Sequence, residues 1–206
     1  MLTDSTYTAC RKNLIMVNSS SHICSKSNFD VVNINTANKI NVKRFTQNGQ
    51  IQIYQSSYRG SYSSIIRDSL RNAALGRKVL LIQFMKGGVK QGVDNAVKLC
   101  GNLTWIRSSH SYDQYNSEEI ENNKNLKESI HESTFELWNF CKKELQSGEN
   151  DQIILDEIFL AIEMKIIDKD DLISTLENRF ISGDVILTGT DIPKDLLLMA
   201  NQITEL

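Results

Sequence analysis

Proline is almost absent from this chain, with Pro193 the single one among 206 residues. That scarcity argues against a collagen-like or polyproline protein. No apolar run approaches the roughly 18 residues that a membrane span needs, and Leu14–Val17 is too short for a secretory core of about 7–15 residues. A protein of the cytoplasm, with no membrane partner, is therefore expected. Cys10, Cys24, Cys100 and Cys141 show no CxxC spacing, and His22, His110 and His131 fall at no metal-ligand interval from them or from one another. Reduced, unligated thiols follow, as the cytoplasm maintains them. An excess of charge of one sign is missing too. The 23 Lys and Arg nearly balance the 25 Asp and Glu, which argues against a strongly basic surface and a nucleic-acid partner.

What is present is a chain long enough for one well-buried domain, 40% hydrophobic and unevenly organised. Residues 1–49 are rich in Ser, Asn, Thr and Lys and sustain no amphipathic period, so they are expected to form a weakly ordered N-terminal extension. Residues 50–206 carry the domain. Gln50–Gln55 reads as a short strand. It is followed by a turn over Ser56–Gly60 and a helix over about Tyr62–Leu75, whose inner face would be Ile65, Ile66, Ser69, Leu70, Ala73 and Ala74. Gly76 ends that helix. KVLLIQFM, Lys78–Met85, has the unbroken apolarity of a central parallel strand, and the turn KGGVKQG follows it.

A third strand is expected at Asn102–Ile106. The spacing of Ile130, Thr134, Leu137, Trp138, Cys141 and Leu145 predicts a long helix ending near Leu145. Further buried strands are expected at Gln152–Leu155, ending in Asp156-Glu157, and at Asp184–Leu187, ending in Thr188-Gly189. Two helical pieces lie between them, the second opening near Asp170 or Asp171, and a last helix covers about Pro193–Asn201. Strand–helix alternation of this kind implies an α/β fold, a three-layer arrangement around a mostly parallel sheet of five or six strands. Ligands of such sheets sit beyond the carboxyl ends of the strands. That rule selects Ser56–Ser63, Lys86–Gly92, Asp156-Glu157 and Thr188–Thr190 as one candidate site.

A strand that ends in two carboxylates places them at the sheet edge, where one can hold Mg²⁺ and the other polarise a ligand. The alternative for IILDE is an acidic loop that caps the next helix. The first strand–turn–helix unit, spaced as in nucleotide-binding domains, favours the functional reading.

Four segments in register carry a resemblance: ALGRKV at Ala74–Val79, LIQFMKGG at Leu81–Gly88, IILDE with IFLAIEMKII after it, and VILTGTDIPKDLLLMANQITEL to the end. With LTW at Leu103–Trp105 they make residues 50–206 resemble the ATP:corrinoid adenosyltransferases, P-loop enzymes that adenosylate cob(I)alamin and cob(I)yrinic acid a,c-diamide. The resemblance implies a P-loop NTPase-like fold, ATP and Mg²⁺, a corrinoid substrate and a homodimer as an available assembly. It implies nucleotide contacts from Ser57, Arg59, Gly60, Ser61, Tyr62, Ser63 and Lys86, a metal side at Asp156 and Glu157, and a corrinoid side at Trp105, Thr188 and Gly189. Asp156 would serve Mg²⁺ directly or through water.

The chain departs from the family pattern in the phosphate loop. Gly60 keeps the last loop glycine, but the lysine that should follow is Ser61, and the hydroxyl residue for Mg²⁺ is Tyr62. Ser63 offers a hydroxyl one position late. Arg59 either supplies the missing charge or faces solvent. Tyr58, Tyr62 and Trp105 either touch a flat ligand or pack. Gly92 is followed by Val93 where the family has Glu, and Thr190 stands where arginine is common. Two functions are therefore expected in competition. One is ATP-dependent transfer of 5′-deoxyadenosyl to Co(I) of a corrinoid in cobalamin biosynthesis or salvage. The other is a catalytically degenerate relative that binds a nucleotide, a corrinoid or a protein partner.

Overall fold

The computed structural model describes residues 48–59, 62–88, 90–112 and 122–206 in full, together with the backbone of four strands nearer the N-terminus. It divides into two units, Met1–Asn48 and Gly49–Leu206. In the first unit β1 (Tyr7–Cys10), β2 (Asn13–Met16), β3 (Phe29–Asn35) and β4 (Lys39–Arg44) pair antiparallel in the order β2-β1-β3-β4. The sequence reading assigned this stretch no strands. Hairpin pairing between neighbouring segments needs only short β-prone runs such as FDVVNIN, which leave no long apolar period to read.

The second unit is a seven-stranded sheet with helices on both faces. Its strands are β5 (Ile51–Gln55), β6 (Val79–Gly87), β7 (Val97–Leu99), β8 (Leu103–Ser108), β9 (Gln152–Asp156), β10 (Asp184–Gly189) and β11 (Gln202–Glu205). They lie in the order β11-β5-β10-β9-β6-β8-β7, and every pairing is parallel except β7 with β8. The expectation of five or six strands missed the two edges. β7 and β11 are three and four residues long and mostly exposed, so neither shows the apolar run of a central strand.

The central strands are buried on both faces, and alternation decides which side chain goes where. Leu80, Ile82 and Phe84 of β6, Ile153 and Leu155 of β9, and Val185 and Leu187 of β10 enter one core. The intervening Val79, Leu81, Ile154 and Ile186 enter the other. Helix α1 (Ser63–Ala74) covers the second face through Ile65, Ser69 and Ala73, spaced four apart; Ala74, expected inside, is exposed because it sits one position round the helix.

The first face is covered by α2 (Lys124–Ser147), α3 (Ile158–Glu163), α4 (Lys169–Glu177) and α5 (Lys194–Met199). Helix α2 buries Ile130, Thr134, Leu137, Trp138, Cys141 and Leu145 as its spacing predicts, with Ser133 added. Trp138 is fully buried and donates its indole N–H to Asp171 at 2.7 Å. Helix α4 opens at Lys169 because Asp168 accepts from the amides of Asp170 and Asp171. Pro193 is the N-cap residue of α5. No helix among the described residues is long and apolar enough to cross a membrane.

Candidate functional site

The parallel strands β5, β6, β9 and β10 all end at one edge of the sheet, and the polar side chains that their last residues carry converge there. Asp156 closes β9, and both carboxylate oxygens are bonded: Oδ1 accepts from the Thr188 hydroxyl at 2.8 Å, Oδ2 from the Gln83 amide at 2.6 Å and from Lys86 Nζ at 3.1 Å. Asp156, Thr188 and Gln83 are all buried. The register explains the convergence, since Gln83 pairs directly with Asp156 across β6 and β9.

Glu157 follows in the left-handed region, at φ 61° and ψ 29°, and its backbone N–H donates to the Thr188 hydroxyl at 2.9 Å. A non-glycine residue in this region costs of order 1–3 kcal/mol and persists where its surroundings hold it. Thr188 holds the backbone and a cation holds the side chain. Arg59, from the turn after β5, binds the Glu157 carboxylate through both Nε (3.1 Å) and Nη2 (2.5 Å). Its Nη1 donates to the Tyr112 carbonyl at 2.9 Å, and its Nη2 reaches the Met85 carbonyl at 3.5 Å. Lys86 Nζ lies 3.5 Å from Glu157 Oε1 as well as on Asp156. The two carboxylates are 2% exposed, whereas Arg59 and Lys86 are 20% and 33% exposed, so the cations form the outer surface of the cluster.

Arg59 thus does not simply face solvent, since its guanidinium pairs with a buried carboxylate. Tyr62, the N-cap residue of α1, is 1% exposed and its ring packs with Ile65, Leu81, Ile154 and Ile186 beneath the helix. Its hydroxyl is buried with no hydrogen-bond partner among the described residues. Burial, reinforced by the negative charges of Asp156 and Glu157, pushes the phenol up to about 12, and the backbone of Gly189 and Ser56 pulls weakly the other way. The phenol is neutral at physiological pH.

Of the remaining candidates, Ser57 and Ser63 are exposed on the loop side, whereas Gly60 and Ser61 lie outside the described residues. Thr188 and Gly189 are buried behind the cluster. A Cβ on Gly189 would come within 2.6 Å of Phe159 Cβ, so that glycine is a packing requirement at the β10–α3 contact. Trp105 is half-buried on β8. Its indole N–H donates to Gln83 Oε1 at 2.9 Å, which also accepts from Arg107 Nε at 3.0 Å, and the Arg107 guanidinium lies 4.1 Å from the Trp105 ring centre. Sequence reasoning missed Gln83 and Arg107. Gln83 sits inside the apolar run of β6, and a polar residue at that place in a buried strand is the signal that marks it. On the other side of the turn an open cleft of about 440 Å³ is lined by Gln55, Ser56, Ser57, Thr190, Asp191, Glu205 and Leu206.

A largely parallel sheet, a turn and helix after its first strand, and a polar cluster at the strand ends define a P-loop-type α/β domain. The model of the family described as ATP:corrinoid adenosyltransferase BtuR/CobO/CobP matches residues 47–206, and this chain belongs to that family. It is 23% identical over 161 residues to the corrinoid adenosyltransferase of Escherichia coli K12, a match covering 78% of this chain and 77% of that protein. Against corrinoid adenosyltransferase CobA of Salmonella typhimurium LT2 the identity is 22% over the same shares. An uncharacterized protein of Nostoc sp. (strain PCC 7120) is 24% identical over 194 residues, covering 85% of this chain and 47% of the other.

Proposed function

We propose that this chain is a member of the corrinoid adenosyltransferase family that binds a ligand of that family, a nucleotide or a corrinoid, at the strand-end crevice without catalysing ATP-dependent adenosyl transfer. The observation that carries the reading is Tyr62. Where the family places a short hydroxyl residue at the start of the loop helix, this chain has a ring packed into the core with a neutral phenol. Transfer of deoxyadenosyl to Co(I) expels triphosphate, and the protein's main tasks are to orient the nucleotide and stabilise that leaving group. The loop lysine is Ser61, and removing one such donor typically costs about 3–4 kcal/mol, or two to three orders of magnitude in rate.

A second reading, an active transferase, is favoured by the intact frame of Asp156, Thr188, Gln83 and Lys86. In it Lys86 and backbone amides hold the triphosphate, and Trp105 lies on the corrinoid side. The experiment is adenosylation of a chemically reduced cobalamin with ATP, followed by its absorbance change, alongside calorimetric titration with ATP, adenosine and hydroxocobalamin. The binding reading expects no transfer above the uncatalysed rate and measurable binding of at least one titrant. Turnover by the wild type overturns it in favour of the second. The repair Ser61→Lys with Tyr62→Thr should raise ATP affinity by about the 1.5–3 kcal/mol of a charge-assisted hydrogen bond if the loop has lost its function.

A further inference from the structure

We infer that the Arg59 guanidinium is the built-in cation of this site, standing in for a divalent metal, so that whatever the crevice binds it binds without Mg²⁺. The inference rests on the reading of the strand-end crevice as the ligand site and concerns only its dependence on metal. The carboxylates that would receive Mg²⁺ are Asp156 and Glu157, and each already accepts hydrogen bonds on both oxygens. Both oxygens of Glu157 are taken in the forked geometry that suits guanidinium to carboxylate, and both oxygens of Asp156 are bonded by Thr188, Gln83 and Lys86. Among the described residues no group of three His, Cys, Asp or Glu side chains could hold a metal ion. The hydroxyl residue that would complete such a site is the buried Tyr62. Among the described residues, the side chains at the strand ends are therefore committed to one another and not arranged around a resident divalent cation.

Charge leads to the same conclusion. Asp156 and Glu157 bring two negative charges, Arg59 and Lys86 two positive ones, and the cluster is neutral as it stands. A divalent ion entering it would meet no net attraction and would have to strip buried carboxylates of their partners, which is the costly direction for a buried pair. Arg59 is also no loose surface side chain that happens to touch an acid. Its Nη1 is fixed on the Tyr112 carbonyl and its Nη2 leans on the Met85 carbonyl, so two further segments of the chain hold the guanidinium in place. The strained backbone of Glu157 presents its carboxylate to that group. Arg59 is in this sense the residue that sets the ligand specificity of the crevice, selecting against metal-bound phosphate.

The test is Mn²⁺ titration of the full chain, read as loss of the free-ion paramagnetic resonance signal. Wild type is expected to leave the signal unchanged. Arg59→Ala uncovers the buried Glu157 carboxylate beside Asp156 and should take up one Mn²⁺ with affinity raised by about tenfold or more, and adding Glu157→Gln should abolish that gain. If Arg59→Ala does not fold, Arg59→Gln, which keeps neutral donors in place, carries the same expectation. Stoichiometric uptake of Mn²⁺ by wild type overturns the inference, as does a folded Arg59 variant that gains no metal. Adenosyl transfer by a wild type that takes up no Mn²⁺ would defeat the proposed binding function while leaving this inference standing.

Discussion

The two walls of the crevice were built under different constraints. One wall is the ends of β9 and β10, where Asp156 and Thr188 sit on strands buried on both faces, Glu157 follows β9, and the Thr188 hydroxyl bonds both at 2.8–2.9 Å. The other is the turn between β5 and α1, which carries Arg59, Ser61 and Tyr62. A strand-end residue is placed by sheet register, and its neighbours fix it from both sides. A surface turn is placed by little beyond its own backbone and tolerates exchange. The lesson is that register fixes the sheet-held wall, whereas the loop wall is defined by what its side chains meet. The loop's cation reaches across to the opposite wall, where Arg59 answers the charge of Glu157.

Removing that crossing gives the largest expected effect. Arg59→Ala leaves Glu157 buried without its partner and should cost about 3–5 kcal/mol in denaturant unfolding. Most of this should return in Arg59→Ala/Glu157→Gln, where the uncompensated charge is gone. A single variant as stable as wild type would mean that the two walls are energetically independent.

Next comes the sheet-held wall by itself. Gly189→Ala forces a methyl against Phe159 and should cost about 1–3 kcal/mol of overpacking, measured the same way. Gln83→Leu should cost a similar amount, about 1–3 kcal/mol, because Asp156, Trp105 and Arg107 all lose a buried partner. It should also change the Trp105 fluorescence, which a substitution that merely cut packing elsewhere would not do.

Tyr62 sharpens the comparison through pH. Its folded-state pKa of about 12 lies above the ordinary 10.0, so the unfolded chain loses its phenolic proton first. The resulting stability is complete below about pH 10 and is lost as pH rises toward 12. Tyr62→Phe should remove that part of the alkaline loss and, by deleting an unpartnered hydroxyl, leave neutral-pH stability unchanged or slightly higher. An identical alkaline profile in the variant would show that folding does not shift the phenol, by burial or by the carboxylates.

The smallest effect is expected from truncation. A chain of residues 49–206 should keep the melting temperature of the full protein within a few degrees, since the sheet that forms the site begins at Ile51. A large drop, or insolubility, would make residues 1–48 part of the domain.

Much of this was legible from residue pattern. The apolar runs Lys78–Met85, Gln152–Leu155 and Asp184–Leu187 are strands because only a parallel, doubly covered sheet buries such runs whole, and the stripe of α2 followed from its spacing. The rule that ligands sit at carboxyl ends of strands then brought Asp156, Glu157, Lys86 and Thr188 to one edge. Edge strands escaped because three or four exposed residues carry no period, and strands β1–β4 escaped because hairpins need only local pairing.

By itself, then, the sequence determined the order of elements and the family, because periodicity and motif are properties of neighbouring residues. Only the tertiary structure decided what the loop residues meet. Whether Arg59 meets solvent, a phosphate or Glu157, 98 positions away, and whether Tyr62 faces the crevice or the core, depends on which strands lie side by side and how deep their ends are buried. Those are distances through space, set by the packing of α1 and α3 against a sheet whose adjacent strands come from distant parts of the chain.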